Sequence, residues 1–284
     1  MMLVKLTNVE KHYAGFRLNC SMKVPEGSVT ALLGPNGAGK STTFKAILGL
    51  IFPEAGAVEV FGKPVKQMTK EEKEKIGIVL SDSCFSGYLN IEDLTPILRH
   101  LYSRFKKEEF LTRCKNFGLP LEKKIKELST GMAAKLKILI ALSHDAKLLI
   151  LDEPTAGLDV LAREEILDML REYMIPGDRS ILISSHISSD LEGLCDDFYL
   201  IDRGTIVMHE ETDVLLGNYG LLKVTEEQYR TLDTGRILRR KKESFGYSLL
   251  TDQKQFYQEN MPGITMEKGS IDEVITMMIR GEEI

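Results

Sequence analysis

The chain is poor in the features that mark several large functional classes. Its four cysteines, Cys20, Cys84, Cys114 and Cys195, lie far apart and form no CxxC pair. That spacing excludes metal-ribbon sites and a disulfide framework, and leaves ordinary thiols of a reducing compartment. There is no surplus of basic charge. Against 37 Lys and Arg stand 42 Asp and Glu, a net charge of −5 that offers no global attraction to nucleic acid. Long apolar runs are missing too: the most hydrophobic stretch, 136–151, is broken by Lys137, His144, Asp145 and Lys147. Nothing reaches the roughly 18 apolar residues that a membrane helix needs. The opening MMLVKLTNVEKHY brings charged and polar residues too early for a secretory leader. A soluble chain is expected, one that reaches a membrane only through a partner. Internal repeats and low-complexity segments are also lacking.

What is present is an α/β pattern. Hydrophobic content of 43% and charged content of 28% over 284 residues suit one large domain plus a smaller one. Residues 29–33 (VTALL), 148–151 (LLIL) and 181–184 (ILIS) read as strands buried on both faces. Behind the first run, Phe44, Ile47, Leu48 and Ile51 recur at helical spacing; behind the second, Ile166, Met169, Leu170 and Tyr173 do the same. Repeated strand-then-helix units imply right-handed crossovers and a mainly parallel sheet.

From about 84 to 142 no strand pattern occurs. Phe110, Cys114 and Phe117 mark a helical stripe ending at Gly118, and 133–142 suits another helix, so an inserted helical subdomain is expected. Beyond 218, β-like runs at 222–225, 245–250 and 264–266 alternate with polar helical pieces, the last opening on a capping-box pattern, Ser270-Ile-Asp-Glu273. The expected organisation is a core domain over 1–217, with its helical subdomain at about 84–142, and a small α+β appendage over 218–284.

The strongest motif is Gly34-Pro35-Asn36-Gly37-Ala38-Gly39-Lys40-Ser41, followed by Thr42, which satisfies G-x4-G-K-[ST] between a strand and a helix. Gly34, Gly37 and Gly39 let the backbone turn its N–H groups inward around phosphate oxygens, and the helix that follows aims its positive end at them. Lys40 suits the β- and γ-phosphates, and the Ser41 hydroxyl suits Mg²⁺. This is a P-loop for ATP or GTP. Alone it leaves kinases, GTPases, helicases and transport ATPases open.

The run 148–151 ends in Asp152 and Glu153. A carboxylate at a strand end beside a P-loop suits Mg²⁺ through its water shell, the role of Asp152. Glu153 points elsewhere and suits a general base that polarises the attacking water. His186 follows the run 181–184, where spacing alone favours a structural histidine over one facing a γ-phosphate.

These elements accumulate in a telling order: the P-loop, Leu128-Ser-Thr-Gly-Met132, Asp152-Glu153, Gly157-Leu-Asp159, then His186. The set resembles the nucleotide-binding subunit of ABC transporters, over residues 1 to about 217. It looks similar to ATPases paired with separate ABC-2-type membrane subunits in bacterial drug, antibiotic-peptide and toxin-peptide exporters. The resemblance implies ATP hydrolysis by Glu153 and His186, with Mg²⁺ at Ser41 and Asp152. It implies Tyr13 stacked on adenine, although an N-terminal tyrosine also suits partly packed core. It also implies that Ser129, Gly131 and Asp159 reach nucleotide held by an opposite subunit, either a second copy or a paired homologue. An integral membrane permease would be the further partner, with no nucleic acid, and the location would be the cytoplasmic face of the cell membrane. Alternatives are a soluble ABC ATPase of translation or DNA repair, whose usual second cassette or long coiled coil is missing, and a weakly hydrolysing regulatory subunit.

Three departures stand out. The signature is LSTGM where the family usually has LSGGQ. Ser81 stands after the run 76–80 where the family normally has a glutamine that contacts Mg²⁺ and water. Its reach is shorter, though Asp82 or a water would substitute, and slower turnover is expected. The third is the C-terminal unit, whose basic run Leu238-Arg-Arg-Lys-Lys242 reads as a solvated face, with an anionic membrane surface as the alternative.

Overall fold

The computed structural model describes residues 1–81, 85–185 and 191–284. Cys84, Asp82 and His186 lie outside them. A hairpin of Met2–Tyr13 (β1) and Phe16–Pro25 (β2) leads to Val29–Leu33 (β3) and the helix Lys40–Ile47 (α1). Ala55–Val60 (β4) then lies antiparallel beside β1 and Lys63–Pro64 (β5) antiparallel beside β4, before the single turn Lys70–Lys73 (α2) and Ile76–Val79 (β6). Ile91–Leu101 (α3), Lys107–Asn116 (α4) and Thr130–Leu142 (α5) separate β6 from Leu148–Asp152 (β7). Val160–Met174 (α6), Ser180–Ser185 (β8), Asp197–Asp202 (β9), Thr205–Glu211 (β10) and Thr212–Asn218 (α7) follow.

These strands form one ten-stranded sheet, β5-β4-β1-β2-β10-β9-β3-β8-β7-β6. The half β9-β3-β8-β7-β6 is parallel throughout, the part that the strand-and-helix repeats predict. The other half is an antiparallel arm joined to it through β10. Its signal in the sequence is alternation: Leu18, Cys20, Met22 and Val24 of β2 are buried and their neighbours are not.

Alternate residues of the central strands feed two cores. Ala31 and Leu33 of β3 and Leu149 and Leu151 of β7 join the core that also takes in α3, α5 and α6. Leu32, Leu148 and Ile150 point the other way, towards α1 and the antiparallel arm. The α6 stripe Ile166, Met169, Leu170 and Tyr173 is buried as its spacing demands. In α1 the stripe is cut short. Phe44 and Ile47 are buried, but Gly49 at φ +68 ends the helix, so Leu48 and Ile51 lie past its last turn.

After α7 come Gly220–Val224 (β11), Glu226–Thr231 (α8), Arg239–Glu243 (β12), Gly246–Thr251 (β13), Lys254–Asn260 (α9), Thr265–Lys268 (β14) and Ile271–Arg280 (α10). The strands pair antiparallel in the order β12-β13-β11-β14, which with this connectivity is a split β-α-β, or ferredoxin-like, unit. One face, with Leu222, Val224 and Leu249, packs on Tyr257 of α9 and on Tyr229 of α8. The other places Leu221 and Leu250 beside Ile271, Val274 and Met277 of α10, and these merge into the main core through Leu191, Cys195 and Leu215.

The basic run is strand β12, and each of its charges meets a carboxylate. Arg239 pairs with Glu283 at 2.9 Å, Arg240 with Glu282 at 3.1 Å, Lys241 with Glu243 at 2.7 Å and Lys242 with Glu226 at 3.4 Å. The main chain of Arg240 also exchanges two hydrogen bonds with that of Glu282, at 2.9 and 2.8 Å.

Candidate nucleotide site

The C-terminal end of β3 delivers the glycine-rich loop, and the neighbouring chain dictates two of its glycines. A Cβ on Gly34 would sit 2.2 Å from the Ile201 carbonyl oxygen. Gly39 has φ +117, and a Cβ there would meet the Phe16 ring at 3.0 Å. Lys40, the first residue of α1, folds its side chain back over the loop. Its Nζ donates to the carbonyls of Gly34 (2.7 Å) and Pro35 (3.3 Å) and lies 3.1 Å from Glu153 Oε1. A cleft of about 440 Å³ opens here, lined by Phe16, Pro35, Asn36, Gly37, Gly39, Lys40, Ser41, Thr42, Ser81 and Glu153. Ala38 is buried beneath the loop and anchors it, its carbonyl accepting from Gly204 N at 2.8 Å.

Asp152 closes β7 and is only 2% exposed. Its Oδ1 accepts from Ser184 Oγ at 2.6 Å and its Oδ2 from Ser81 Oγ at 3.3 Å. Glu153 leaves the strand with φ +52. For a residue with a side chain this costs roughly 1–3 kcal/mol, so the surroundings must impose it. Ser184 does: the Glu153 amide donates to Ser184 Oγ at 3.0 Å and to the Ser184 carbonyl at 3.3 Å. Sequence reasoning missed Ser184 as a site residue; the available signal was a polar residue closing the apolar run 181–184. Hydroxyl and carboxylate oxygens at Ser41 and Asp152 fit a hard cation that takes few protein ligands. Among the described residues no trio of His, Cys, Asp or Glu is grouped to hold a metal.

Phe16 lines the cleft, whereas Tyr13 is 45% exposed in the hairpin, its ring centroid 6.4 Å from that of Phe16. Ser129 caps α5 by accepting from Met132 N at 3.3 Å, and Asp159 caps α6 by accepting from Ala162 N at 2.9 Å. The two helix starts lie side by side, a Cβ on Gly131 meeting Ala162 Cβ at 3.2 Å. Within one chain none of these three residues lines the cleft.

The sequence profile of the ABC transporter family matches residues 18–156. The lantibiotic transport ATP-binding protein SrtF of Streptococcus pyogenes is 34% identical over 219 residues, covering 74% of this chain and 92% of that protein. The chain belongs to the ABC transporter ATP-binding proteins. The Nod factor export ATP-binding protein I of Burkholderia orbicola (strain AU 1054) is 35% identical over 209 residues, 71% of this chain and 68% of that one. A solved ATP-binding subunit of an ABC transporter matches with a TM-score of 0.67 and 27% identity, over 75% of this chain and 91% of that chain. The mixed ten-stranded sheet is therefore that of an ABC ATPase, and the chain is an ATP-binding, ATP-hydrolysing subunit.

Proposed function

We propose that this ABC ATPase binds ATP with the loop 34–42 and hydrolyses it with Glu153 as general base, driving export through a separate membrane subunit. The single observation that carries the reading is the meeting of Lys40 and Glu153 at 3.1 Å in the mouth of the cleft. Loop amides and the Lys40 ammonium would grip the phosphates, and Ser41 and Asp152 would hold Mg²⁺, which supplies positive charge to the phosphate oxygens when bound. The Glu153 carboxylate would take a proton from water as its oxygen attacks the γ-phosphorus and the bond to ADP breaks. His186 is proposed to contact the γ-phosphate.

Ser129, Gly131 and Asp159 are proposed to serve the nucleotide of a second ATPase subunit, a copy or a paired homologue. Two features support this: they stand apart from their own cleft, and next to them Val160 and Leu161 present bare apolar side chains, 76% and 79% exposed. Closure around nucleotide would move α3, α4 and α5, and with them a docked permease. No helix among the described residues is long and apolar enough to cross a membrane, so a location on the cytoplasmic face would come from that partner. Export as the direction rests on relatives named for lantibiotic transport and Nod factor export.

The test is a pair of variants. Lys40→Ala should lose nucleotide binding. Glu153→Gln should keep binding yet lose about 100-fold or more of turnover, the scale of a lost general base. Wild-type hydrolysis by either variant would sink the reading.

A further inference from the structure

We infer that Ser184 is a positioning residue that sets the two acids of the site against one another through a single hydroxyl. A serine hydroxyl has one proton to give and lone pairs to accept with. Here the proton goes to Asp152 Oδ1 at 2.6 Å, and a lone pair takes the Glu153 amide at 3.0 Å. Strand register makes this possible, because β7 and β8 pair Asp152 directly with Ser184.

The two bonds have different consequences. The first commits Oδ1 of Asp152 to Ser184 and leaves Oδ2 to Ser81, a residue that lines the cleft. The second holds the Glu153 amide against β8 in the left-handed turn, which carries its carboxylate away from Asp152 and towards Lys40. Ser184 is wholly buried, so bulk water does not replace the hydroxyl when it is removed. An alanine here would take the donor from Asp152 Oδ1 and leave the Glu153 amide only its 3.3 Å bond to the backbone carbonyl of residue 184, and the relative placement of the acids would relax.

The inference rests on the proposed roles of Asp152 and Glu153, and its test separates the two. In the full-length chain, Ser184→Ala should lower kcat by about 10- to 100-fold, the scale of losing a hydrogen-bonding support behind a metal-binding group. The KM for MgATP should rise about tenfold, in step with the weaker Mg²⁺-dependent binding, because KM follows affinity when chemistry is slow. Binding of a fluorescent ATP analogue should be unchanged without Mg²⁺ and weakened about tenfold with it. Ser184→Thr keeps the hydroxyl and should recover most of the loss. Ser184→Cys keeps the volume with a weak donor and should fall between, which covers the case in which the alanine variant does not fold. If the folded alanine or cysteine variant turns over like wild type while Lys40→Ala is inactive, the positioning role is wrong and the site assignment stands. If Lys40→Ala is itself fully active, the underlying assignment has failed.

Discussion

The Lys40 ammonium lies 3.1 Å from a carboxylate oxygen of Glu153, with the two side chains only 6% and 17% exposed. A triphosphate seated on the loop competes with that carboxylate for the same ammonium. Glu153→Gln removes the competitor. Beyond slowing hydrolysis, it should tighten ATP binding by about fivefold, the worth of a modest partly buried ion pair near 1 kcal/mol. Equilibrium titration, with light scattering to detect nucleotide-dependent dimers, reads both effects. Dimers that form equally well without nucleotide would argue against the transport cycle.

Phe16 and Tyr13 offer a choice between two aromatic rings. Phe16 borders the cleft and Tyr13 does not. Phe16→Ala should weaken ATP binding by about 10-fold, as loss of a base-stacking ring worth roughly 1–3 kcal/mol predicts, and Tyr13→Ala should weaken it less. The reverse order would make Tyr13 the adenine contact.

Ser81 reaches Asp152 at 3.3 Å, a short tether where a longer amide would extend into the cleft. Ser81→Gln should raise steady-state ATPase activity about 2- to 10-fold, the equivalent of one added hydrogen bond in the transition state. An unchanged or lower rate would refute the idea that this serine slows the enzyme.

His144 stacks on Tyr102 with ring centroids 3.8 Å apart, and its Nε2 lies 3.3 Å from the Ile76 carbonyl. Burial pulls its pKa below the ordinary 6.5. The folded chain thus resists a proton that the unfolded chain accepts, and stability falls as pH drops below 6.5 towards the depressed value. His144→Gln should flatten the fall in urea midpoint as pH drops below 6.5, whatever its effect at neutral pH. A curve parallel to wild type would assign the acid sensitivity elsewhere.

Residues 218–284 contribute side chains to the main core, so the chain should tolerate their loss poorly. Deleting them strips Ile271, Val274 and Met277 of α10 from the core cluster that also holds Leu191, Cys195 and Leu215. The shortened chain should aggregate, or melt about 10 °C or more below wild type, given ~2–4 °C per kcal/mol for a domain of this size. A monomeric fragment with unchanged melting temperature would mark the unit as independent.

The parallel half of the sheet and the P-loop are legible in the sequence, where one interaction dominates each. VTALL, LLIL and ILIS announced buried parallel strands because both faces are covered. The P-loop spacing survived because loop geometry permits few alternatives. The antiparallel arm was harder, since its register depends on pairing across long stretches of chain. Strand β12 escapes a reading of its own residues because strands disfavour Lys, and three of its four carboxylate partners, Glu226, Glu282 and Glu283, come from other segments. Ser184 escaped because a hydroxyl's role depends on what stands across the sheet, which one strand's sequence does not contain.

The double hydrogen bond between Arg240 and Glu282 occupies the outer rim of the small sheet. An uncovered rim is a template on which a stray extended chain can zip itself. Here Glu282 acts as a stopper, its main chain taking both the N–H and the carbonyl that Arg240 turns outward. Removing 281–284 would unblock that template, so the same short segment guards the subunit against sticking to its own kind.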